Sequence, residues 1–305
     1  MKPELRILVW AIAVSMLLGL GCGRDTGKTQ TGATSGKGAE LAGNIQIKGS
    51  DTMVNLGQAW AEAYMKMNPS ANVAVTGGGS GTGIAALINK TTDIAECSRA
   101  IKAAEIEQVG KNGVEPKQID VARDGIAVVV HPSNPVSSLS IDQLADIFSG
   151  KATDWKDVNG NPGRIVVLSR ELNSGTYVYF KERVLNKGDE KGPVEYGQRT
   201  LMLPSSQAIA DEVGQNPLAI GYYGMGYISS RQKALAVSLT TGSEPVPPTM
   251  ENVLSGKYPI SRLLYFYTNG EPKGVVKDFI DFTLSAEGQK IVEAVGFVPV
   301  KKGVK

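Results

Sequence analysis

Hydrophobic and polar residues follow two alternating periods along most of the chain. The segment NIQIKGS (44–50) alternates between apolar and polar positions as a β-strand does. Apolar side chains then recur every three or four residues between Met53 and Met67, the spacing of one helix face. A second strand, NVAVT (72–76), and a short helix at 81–90 repeat this order. Strands that alternate with helices predict an α/β fold with a mainly parallel sheet.

Two long apolar strands divide the predicted fold into two lobes. GIAVVVHP (125–132) is a continuous apolar run that ends at a proline, and LLYFY (263–267) is the second such run. Each strand is a natural crossing point between lobes. The first lobe is therefore expected at 44–130 together with 265–305, and the second lobe at 131–264.

Three further segments are informative about the second lobe. SIDQ (140–143) has the pattern of a capping box and predicts a helix that starts there. RIVVL (164–168) predicts a buried strand, and a short helix is expected to begin at Ser205 or Ser206 and to stop at Gly214.

The N-terminus has the pattern of a bacterial lipoprotein leader. Lys2 and Arg6 precede an apolar run, Ile7 to Leu20, of about the length of a signal-peptide core and short for a membrane span. The run ends in GLGC, and its cysteine, Cys22, resembles the residue that is acylated and becomes the mature N-terminus. Ordinary secretory cleavage is the alternative.

This leader predicts a cell-envelope protein. Residues 1–21 would be the signal peptide, and Cys22 would carry the lipid that anchors the protein to a bacterial membrane, facing the periplasm or the exterior. The segment 22–43 is rich in Gly, Thr, Ser and Lys and has few apolar residues, so it is expected to be a flexible tether.

Composition limits the classes of function. The chain has 32 basic and 30 acidic residues and a net charge of +2, a balance that gives no reason to expect a nucleic-acid partner. His131 is the only histidine, so a multi-histidine metal site is excluded, and no cofactor is expected. With Cys22 assigned to the lipid, Cys97 is expected to be a small buried residue.

Three short polar loops each stand between a predicted strand and a predicted helix. They are GSDT (49–52), GSGT (79–82) and NSGT (173–176). Each places hydroxyl groups and free backbone N–H groups at a helix N-terminus, where the helix dipole favours an anion. Glycine would let the backbone approach such a ligand closely. A plain helix cap is the alternative for each loop taken alone.

Charged residues beside these loops point to a tetrahedral oxyanion. Arg170 precedes the third loop and Arg99 follows Ser98, and a guanidinium matches an oxyanion with two hydrogen bonds. A surface ion pair is the alternative for either arginine. Asp51 suits an anion that carries a proton, as phosphate does and sulfate does not. Alternatively, Asp51 only caps its own helix.

These motifs resemble the phosphate-binding component of bacterial ABC phosphate importers, the PstS type in its shorter-chain branch. The resemblance covers about 44–300. It rests on IKGSDT (47–52), GGGSGTG (77–83), DIAECSR (93–99), LSRELNSGT (168–176), IGYYG (220–224) and FVPV (297–300). It implies a two-lobed periplasmic-binding-protein clamshell of type II with the anion in the cleft between the lobes. Permease subunits of the importer would be the protein partners of a monomeric receptor.

The resemblance also implies a set of phosphate-binding residues. They are Arg170, Ser174, Gly175 and Thr176, with Asp51, Thr52 and Ser80 by position. The loop residues Ser50, Ser98 and Arg99 complete the set of candidate phosphate-binding residues. Well-studied members of the family have an aspartate, the acceptor of the phosphate proton, where this chain has Ser98. Asp51 is therefore the candidate acceptor here.

Four other functions remain as alternatives. An enzyme of the Ser–His type would need His131 as a base for Ser80 or Ser174, and no catalytic residue is expected. A nucleotide site is disfavoured because 77–83 does not contain the G-x-G-x-x-G spacing. A receptor for sulfate, molybdate or tungstate would differ only in its ligand. A phosphate-sensing or signalling lipoprotein could share the same fold.

Overall fold

The computed structural model describes residues 42–300 of the 305-residue chain. The predicted signal peptide, the lipidation site Cys22 and the tether up to residue 41 lie outside the described residues. Within 42–300, no helix combines the length and the apolar character needed to cross a membrane.

The described chain alternates between strands and helices, as the sequence predicts. The strands are β1 (Gly43–Gly49), β2 (Ala71–Thr76), β3 (Ile94–Cys97), β4 (Pro116–Val130), β5 (Ser138–Ser140), β6 (Val166–Arg170), β7 (Leu201–Leu203), β8 (Ala219–Gly224), β9 (Lys233–Ala234), β10 (Ala236–Ser238) and β11 (Ser261–Asn269). The α-helices are α1 (Val54–Met67), α2 (Ser80–Ile88), α3 (Ala103–Lys111), α4 (Ile141–Phe148), α5 (Gly175–Phe180), α6 (Ser206–Gln215), α7 (Met250–Leu254), α8 (Gly274–Leu284) and α9 (Ala286–Ala294). Short 3₁₀ turns cover Asp51–Met53, Trp155–Val158 and Met225–Tyr227, and α5 continues into a π-helical turn at Lys181–Leu185.

One sheet path runs through both halves of the described chain, in the order β2-β1-β3-β11-β4-β8-β6-β7. The strands are parallel at both ends of this path, where β1 joins β2 and β3, and where β6 joins β7 and β8. In the middle they are antiparallel, because β11 runs against β3 and β4, and β4 runs against β8. The prediction of a mainly parallel sheet is therefore correct for the outer parts and wrong for the centre, where the chain crosses between the halves and returns.

Strand β4 belongs to both halves of the sheet. Its residues up to Gly125 pair with β11, and Ile126–Val130 pair with β8. The apolar run at 125–132 predicted only the second part, because the first part, PKQIDVARD, is largely polar. The limits of the two lobes stay a prediction.

Helix α1 packs into the core of the first half through one apolar face. Leu56, Trp60 and Tyr64 are buried as predicted, whereas Met67 is 47% exposed because the helix ends there and the chain turns away. Trp60 Nε1 donates to the Gly288 carbonyl oxygen at 2.8 Å, so α1 is tied to α9. The C-terminal helices thus pack against the first half.

Helix ends in the second half follow the predicted caps. Ser140 and Gln143 form the predicted capping box of α4, with the Ser140 hydroxyl accepting from Gln143 N at 3.2 Å. Ser205 is the cap of α6, and its hydroxyl accepts from Ala208 N at 3.0 Å. Helix α6 continues through Gly214 to Gln215, just beyond the predicted stop.

The predicted loops lie at the carboxyl ends of the parallel strands. In the first half, β1 leads into Ser50, β2 leads into the glycine-rich loop before α2, and β3 leads into Ser98. In the second half, β6 leads into the loop before α5. Parallel strands place their carboxyl ends at one edge of a sheet, so these loops are the natural walls of a ligand site.

Candidate anion-binding site

The first and third predicted loops meet through two threonines. Thr52 lies in the turn after β1, Thr176 lies in the first turn of α5, and both side chains are buried. Their Oγ1 atoms are 2.8 Å apart and share a hydrogen bond, in which either atom can be the donor. The structure therefore brings together hydroxyl groups that are 124 residues apart in the chain.

The second loop joins the same cluster through Ser80. Ser98 N donates to Ser80 Oγ at 3.0 Å, and the two hydroxyl oxygens are 3.3 Å apart. A Cβ on Gly175 would lie 2.3 Å from Ser80 Oγ and 2.7 Å from Ser98 Oγ. Gly175 therefore packs directly against both hydroxyls, and a larger residue would push them away.

Two serines of the predicted site are held by backbone groups. Ser174 Oγ accepts from Thr176 N and Tyr177 N at 3.2 and 3.3 Å, so it caps α5. Ser50 is buried at the end of β1, and its N–H donates to the Glu96 carbonyl oxygen at 2.8 Å. Both hydroxyl protons remain available to a ligand.

Arg170 is buried at the end of β6 and is held on every side. Nη1 lies 2.9 Å from Asp51 Oδ2 and donates to Ser206 Oγ at 3.0 Å. Nε and Nη2 donate to the two carboxylate oxygens of Glu171 at 3.0 and 2.9 Å, the parallel arrangement typical of strong arginine–carboxylate pairs. The guanidinium group is thus fixed in orientation next to Asp51.

Asp51 does not cap its own helix. Its Oδ2 atom accepts from Ser206 N at 2.8 Å, at the start of α6 in the other half of the molecule, and also pairs with Arg170. Its Oδ1 atom has no hydrogen-bond partner among residues 42–300. The alternative of a local cap for Asp51 is therefore wrong.

Arg99 is engaged in an ion pair outside this cluster. Nη1 and Nη2 donate to the Glu105 carboxylate at 2.7 and 2.6 Å, and Nη1 also donates to the Ala100 carbonyl oxygen at 2.9 Å. Glu105 is in the first turn of α3, a helix that the sequence reading omitted. This pairing corresponds to the ion-pair alternative for Arg99, and the structure does not bring its side chain into contact with Ser80 or Thr176 within the described part of the chain.

A buried ion pair that the sequence reading missed supports the threonines. Arg262 Nη2 donates to Thr176 Oγ1 at 2.9 Å and to Asp124 Oδ2 at 2.8 Å. Burial raises the pKa of the Asp124 carboxyl, and the adjacent Arg262 guanidinium opposes that rise. Asp124 directly precedes the apolar strand at 125–132, and Arg262 directly precedes the one at 263–267. Opposite charges next to the two predicted crossing strands could have indicated this ion pair.

Glu96 is a second acidic group that the sequence reading missed. It lies on β3, is fully buried, and neither carboxylate oxygen has a hydrogen-bond partner among the described residues. Burial raises its pKa well above the usual value, and the negative charge of Asp51 raises it further. Glu96 therefore holds its proton more tightly than an exposed glutamate does. The signal was an acidic residue inside a strand that is otherwise apolar.

The glycine-rich loop packs against Asn173 of the opposite half. Gly81 N donates to the Asn173 carbonyl oxygen at 2.9 Å, and Asn173 Nδ2 donates to the Gly78 carbonyl oxygen at 2.7 Å. A Cβ on Gly79, which has φ +93°, would lie 2.7 Å from the Asn173 carbonyl oxygen. These glycines leave room for the facing loop, and the expectation that they also leave room for the ligand stays a prediction.

The assembled side chains suit an oxyanion. Six hydroxyl groups can donate hydrogen bonds and Asp51 Oδ1 can accept one. Every N–H of the Arg170 guanidinium already has a partner among the described residues, including the Pro204 carbonyl oxygen at 3.3 Å, so Arg170 contributes its positive charge. The remaining chemistry-bearing residues lie elsewhere: His131 Nδ1 is 2.7 Å from Ser133 Oγ and contacts neither Ser80 nor Ser174 in the described range. Residues 42–300 contain no group of three or more His, Cys, Asp or Glu side chains able to hold a metal ion.

Comparison with known proteins gives consistent matches over most of the chain. The family model of the PBP superfamily domain matches residues 29–287. The phosphate-binding protein PstS of Pseudomonas aeruginosa is 34% identical over 281 residues, which cover 87% of this chain and 85% of that protein. PstS of Bacillus subtilis is 32% identical over 305 residues, which cover 98% of this chain and 95% of that protein.

Solved structures are similar to the same part of the chain. A protein from Clostridium perfringens, described as a phosphate ABC transporter substrate-binding protein with bound phosphate, has a TM-score of 0.76 and 34% identity. The match covers 85% of this chain and all of that chain (100%). An ABC-type phosphate transport receptor from Vibrio cholerae has a TM-score of 0.66 and 28% identity, and covers 83% of this chain and 99% of that chain.

Proposed function

Since the chain belongs to the PBP superfamily and, within it, to the PstS-type phosphate-binding proteins, we propose that it binds inorganic phosphate outside the cytoplasmic membrane and delivers it to an ABC importer. One observation carries this proposal beyond the family. Arg170 and a carboxylate, Asp51, are paired at 2.9 Å beside the hydroxyl cluster of Thr52, Thr176, Ser80 and Ser98.

Hydroxyl groups supply most of the contacts in the proposed complex. In the hydrogen bonds between Thr52 and Thr176 and between Ser80 and Ser98, either hydroxyl can be the donor. Each hydroxyl can therefore rotate its proton toward a phosphate oxygen instead. The Ser50 and Ser174 hydroxyls complete the donors, because the Thr176 and Tyr177 N–H groups already donate to Ser174 Oγ. A hydrogen bond to a charged group contributes about 1.5–3 kcal/mol, so a handful of them is enough for tight binding.

Asp51 is the proposed acceptor of the phosphate proton. Its Oδ2 atom is occupied by Arg170 and Ser206, which leaves Oδ1 to face a ligand. Phosphate at neutral pH carries a proton that it can donate to Oδ1. Sulfate carries no such proton and would leave two negative groups in contact, which disfavours it. The arrangement therefore favours phosphate over sulfate.

The remaining features of the proposal follow from the sequence. The protein would act as a receptor without catalytic activity, as a monomer whose partners are the permease subunits. Lipid attached to Cys22 would hold it at a bacterial membrane, and the lobes would comprise 44–130 with 265–305, and 131–264. Arg99 stays a predicted ligand: its two Nη atoms donate to Glu105, and its buried Nε has no hydrogen-bond partner among the described residues.

Isothermal titration of the purified protein with phosphate, sulfate and molybdate tests the proposed function. We expect saturable binding of phosphate with a dissociation constant at least a hundredfold below that of the other two anions. Tighter binding of sulfate or molybdate would reassign the ligand, and the absence of binding to all three would refute an oxyanion receptor.

A further inference from the structure

Arg262 lies at the point where the two threonines of the site meet. It is on β11 and its side chain is buried. Nη2 donates to Thr176 Oγ1 at 2.9 Å, and Thr52 Oγ1 is 3.5 Å from the same nitrogen. The guanidinium therefore contacts hydroxyls from both halves of the molecule, 86 and 210 residues away in the chain.

Two neighbours, Asp124 and Tyr179, orient the Arg262 guanidinium. Asp124 Oδ2 accepts from Nε at 3.0 Å and from Nη2 at 2.8 Å. Asp124 itself is fully buried and is held by Met225 N, which donates to Oδ1 at 3.0 Å. The ring of Tyr179, on the same helix as Thr176, lies 5.7 Å from the guanidinium carbon and covers it. Nη1 of Arg262 is buried and has no hydrogen-bond partner among the described residues.

The contact with Arg262 determines which way the Thr176 hydroxyl points. A guanidinium group has donors and no acceptor, so Thr176 Oγ1 must accept from Nη2 and cannot donate to it. The proton of Thr176 is left to point toward Thr52 or toward an anion in the cleft. Because the adjacent charge is positive, it also strengthens the hydroxyl as a donor.

We propose that Arg262 is a positioning residue of the anion site, which holds the Thr176 and Thr52 hydroxyls as donors toward phosphate and so links both halves to the ligand. This inference rests on the proposed function. It assigns a role in phosphate affinity to Arg262, which lies outside the sequence motifs of the predicted site. The competing explanation is that Arg262 only neutralises the buried carboxylate of Asp124.

A charge-neutral double variant separates the two explanations. In Arg262→Met with Asp124→Asn, neither charge is left unpaired, and the amide carbonyl introduced at position 124 can still accept from Met225 N. We expect this variant to fold and to bind phosphate about tenfold more weakly or worse, because charge-assisted hydrogen bonds are lost from the site. Phosphate affinity within about twofold of the wild type would show that Arg262 only balances Asp124 and would overturn the proposal.

A double-mutant cycle with Thr176→Val tests whether Arg262 acts through the threonine. If it does, Thr176→Val weakens binding by itself, and adding Arg262→Met with Asp124→Asn weakens it little further. If the combined variant loses phosphate affinity by the product of the two separate losses, Arg262 acts independently of Thr176, which contradicts the positioning role. Arg231→Met with Asp211→Asn, which removes an exposed ion pair of 3.0 Å, is the matched control and should leave affinity unchanged.

Arg262→Lys covers the case in which the double variant does not fold. Lysine keeps a positive charge beside Asp124 but lacks the planar fork that reaches Asp124 and Thr176 together. We expect a folded protein with phosphate affinity reduced about tenfold, and wild-type affinity would overturn the proposal. A wild-type protein that binds no phosphate would refute the proposed function itself, whereas a wild type that binds phosphate together with unaffected variants refutes only the role of Arg262.

Discussion

Asp51 and Arg170 form an ion pair between the two halves of the molecule, with 2.9 Å between Asp51 Oδ2 and Arg170 Nη1. The same Asp51 oxygen accepts from Ser206 N at the start of α6. A carboxylate from the first half thus holds both an arginine and a helix start of the second half. This places negative charge beside a predicted anion site, which is favourable only for an anion that brings a proton.

Asp51→Asn is expected to narrow the difference between phosphate and sulfate affinity. The Asn side-chain carbonyl can still accept from Ser206 N, while its amide group donates to an anion and no longer repels sulfate. We expect the ratio of the two affinities to fall roughly tenfold or more, from the cost of an unsatisfied buried charge. Calorimetric titration with both anions measures the ratio.

The control for that variant is Asp211→Asn, because Asp211 pairs with Arg231 at an exposed position. It should leave the affinity ratio unchanged. An Asp51→Asn protein that discriminates between the anions as the wild type does would remove Asp51 from the role of proton acceptor.

Gly175→Ala is expected to weaken phosphate binding while the fold survives. The added Cβ would lie 2.3 Å from Ser80 Oγ, so either α5 or the Ser80 loop must move. Overpacking of this kind costs about 1–3 kcal/mol of folding stability, and displacement of the Ser80 hydroxyl should lower phosphate affinity as well. Titration with phosphate and thermal unfolding, measured on the same preparation, give both quantities.

Gly110→Ala is the matched control, since a Cβ at Gly110 in α3 meets no atom within 4 Å. Alanine should stabilise that helix by up to about 1 kcal/mol and leave phosphate affinity unchanged. If Gly175→Ala bound phosphate as tightly as Gly110→Ala, the packing of Gly175 against the Ser80 and Ser98 hydroxyls would not affect phosphate binding.

Glu96→Gln is expected to change how stability depends on pH. Burial, reinforced by the charge of Asp51, raises the pKa of Glu96 well above its usual value. The folded state then binds this proton more tightly than the unfolded state. This proton therefore stabilises the folded state fully below the ordinary carboxyl pKa. The contribution to the free energy of unfolding is lost as pH rises toward the raised pKa, by up to about 1.4 kcal/mol per pH unit.

Urea unfolding between about pH 5 and 8 measures this effect. The free energy of unfolding of the wild type should fall with pH relative to that of Glu96→Gln, whose amide does not ionise. Glu244→Gln, at an exposed position, serves as control and should run parallel to the wild type. Parallel curves for Glu96→Gln and the wild type would mean that Glu96 is ionised in the folded protein.

Cys22→Ser is expected to release the protein from the membrane. Cys22 lies outside the described residues, and the prediction rests on the leader pattern alone. Wild-type protein expressed in a bacterial host should partition into the detergent phase, and the variant into the aqueous phase. Cys97→Ser is the control, because Cys97 is fully buried and burial raises the pKa of its thiol.

That control should remain membrane-associated, because it retains Cys22. If the wild type were already found in the aqueous phase, the leader would be an ordinary secretory signal.

Local residue patterns predict most of the regular elements and three of the loops that meet at the candidate site. Period-two and period-3.6 patterns depend on residues close in the chain, as in β1, α1 and the Ser140 capping box, so they are readable without tertiary contacts. The repeated Ser/Thr and glycine loops at strand ends were readable for the same reason, and they led to Thr52, Ser80 and Thr176.

Long-range packing sets which charged groups lie beside the candidate site. Arg262 and Asp124 are 138 residues apart, and Asp51 meets Ser206 across 155 residues, so no local pattern links them. Arg99 and Glu105 are the exception, because they are 6 residues apart and the start of α3 could have been read. A charged side chain pairs with the group that the fold brings within about 3 Å. Because the partners are far apart in the sequence, that distance is established only when the chain is packed.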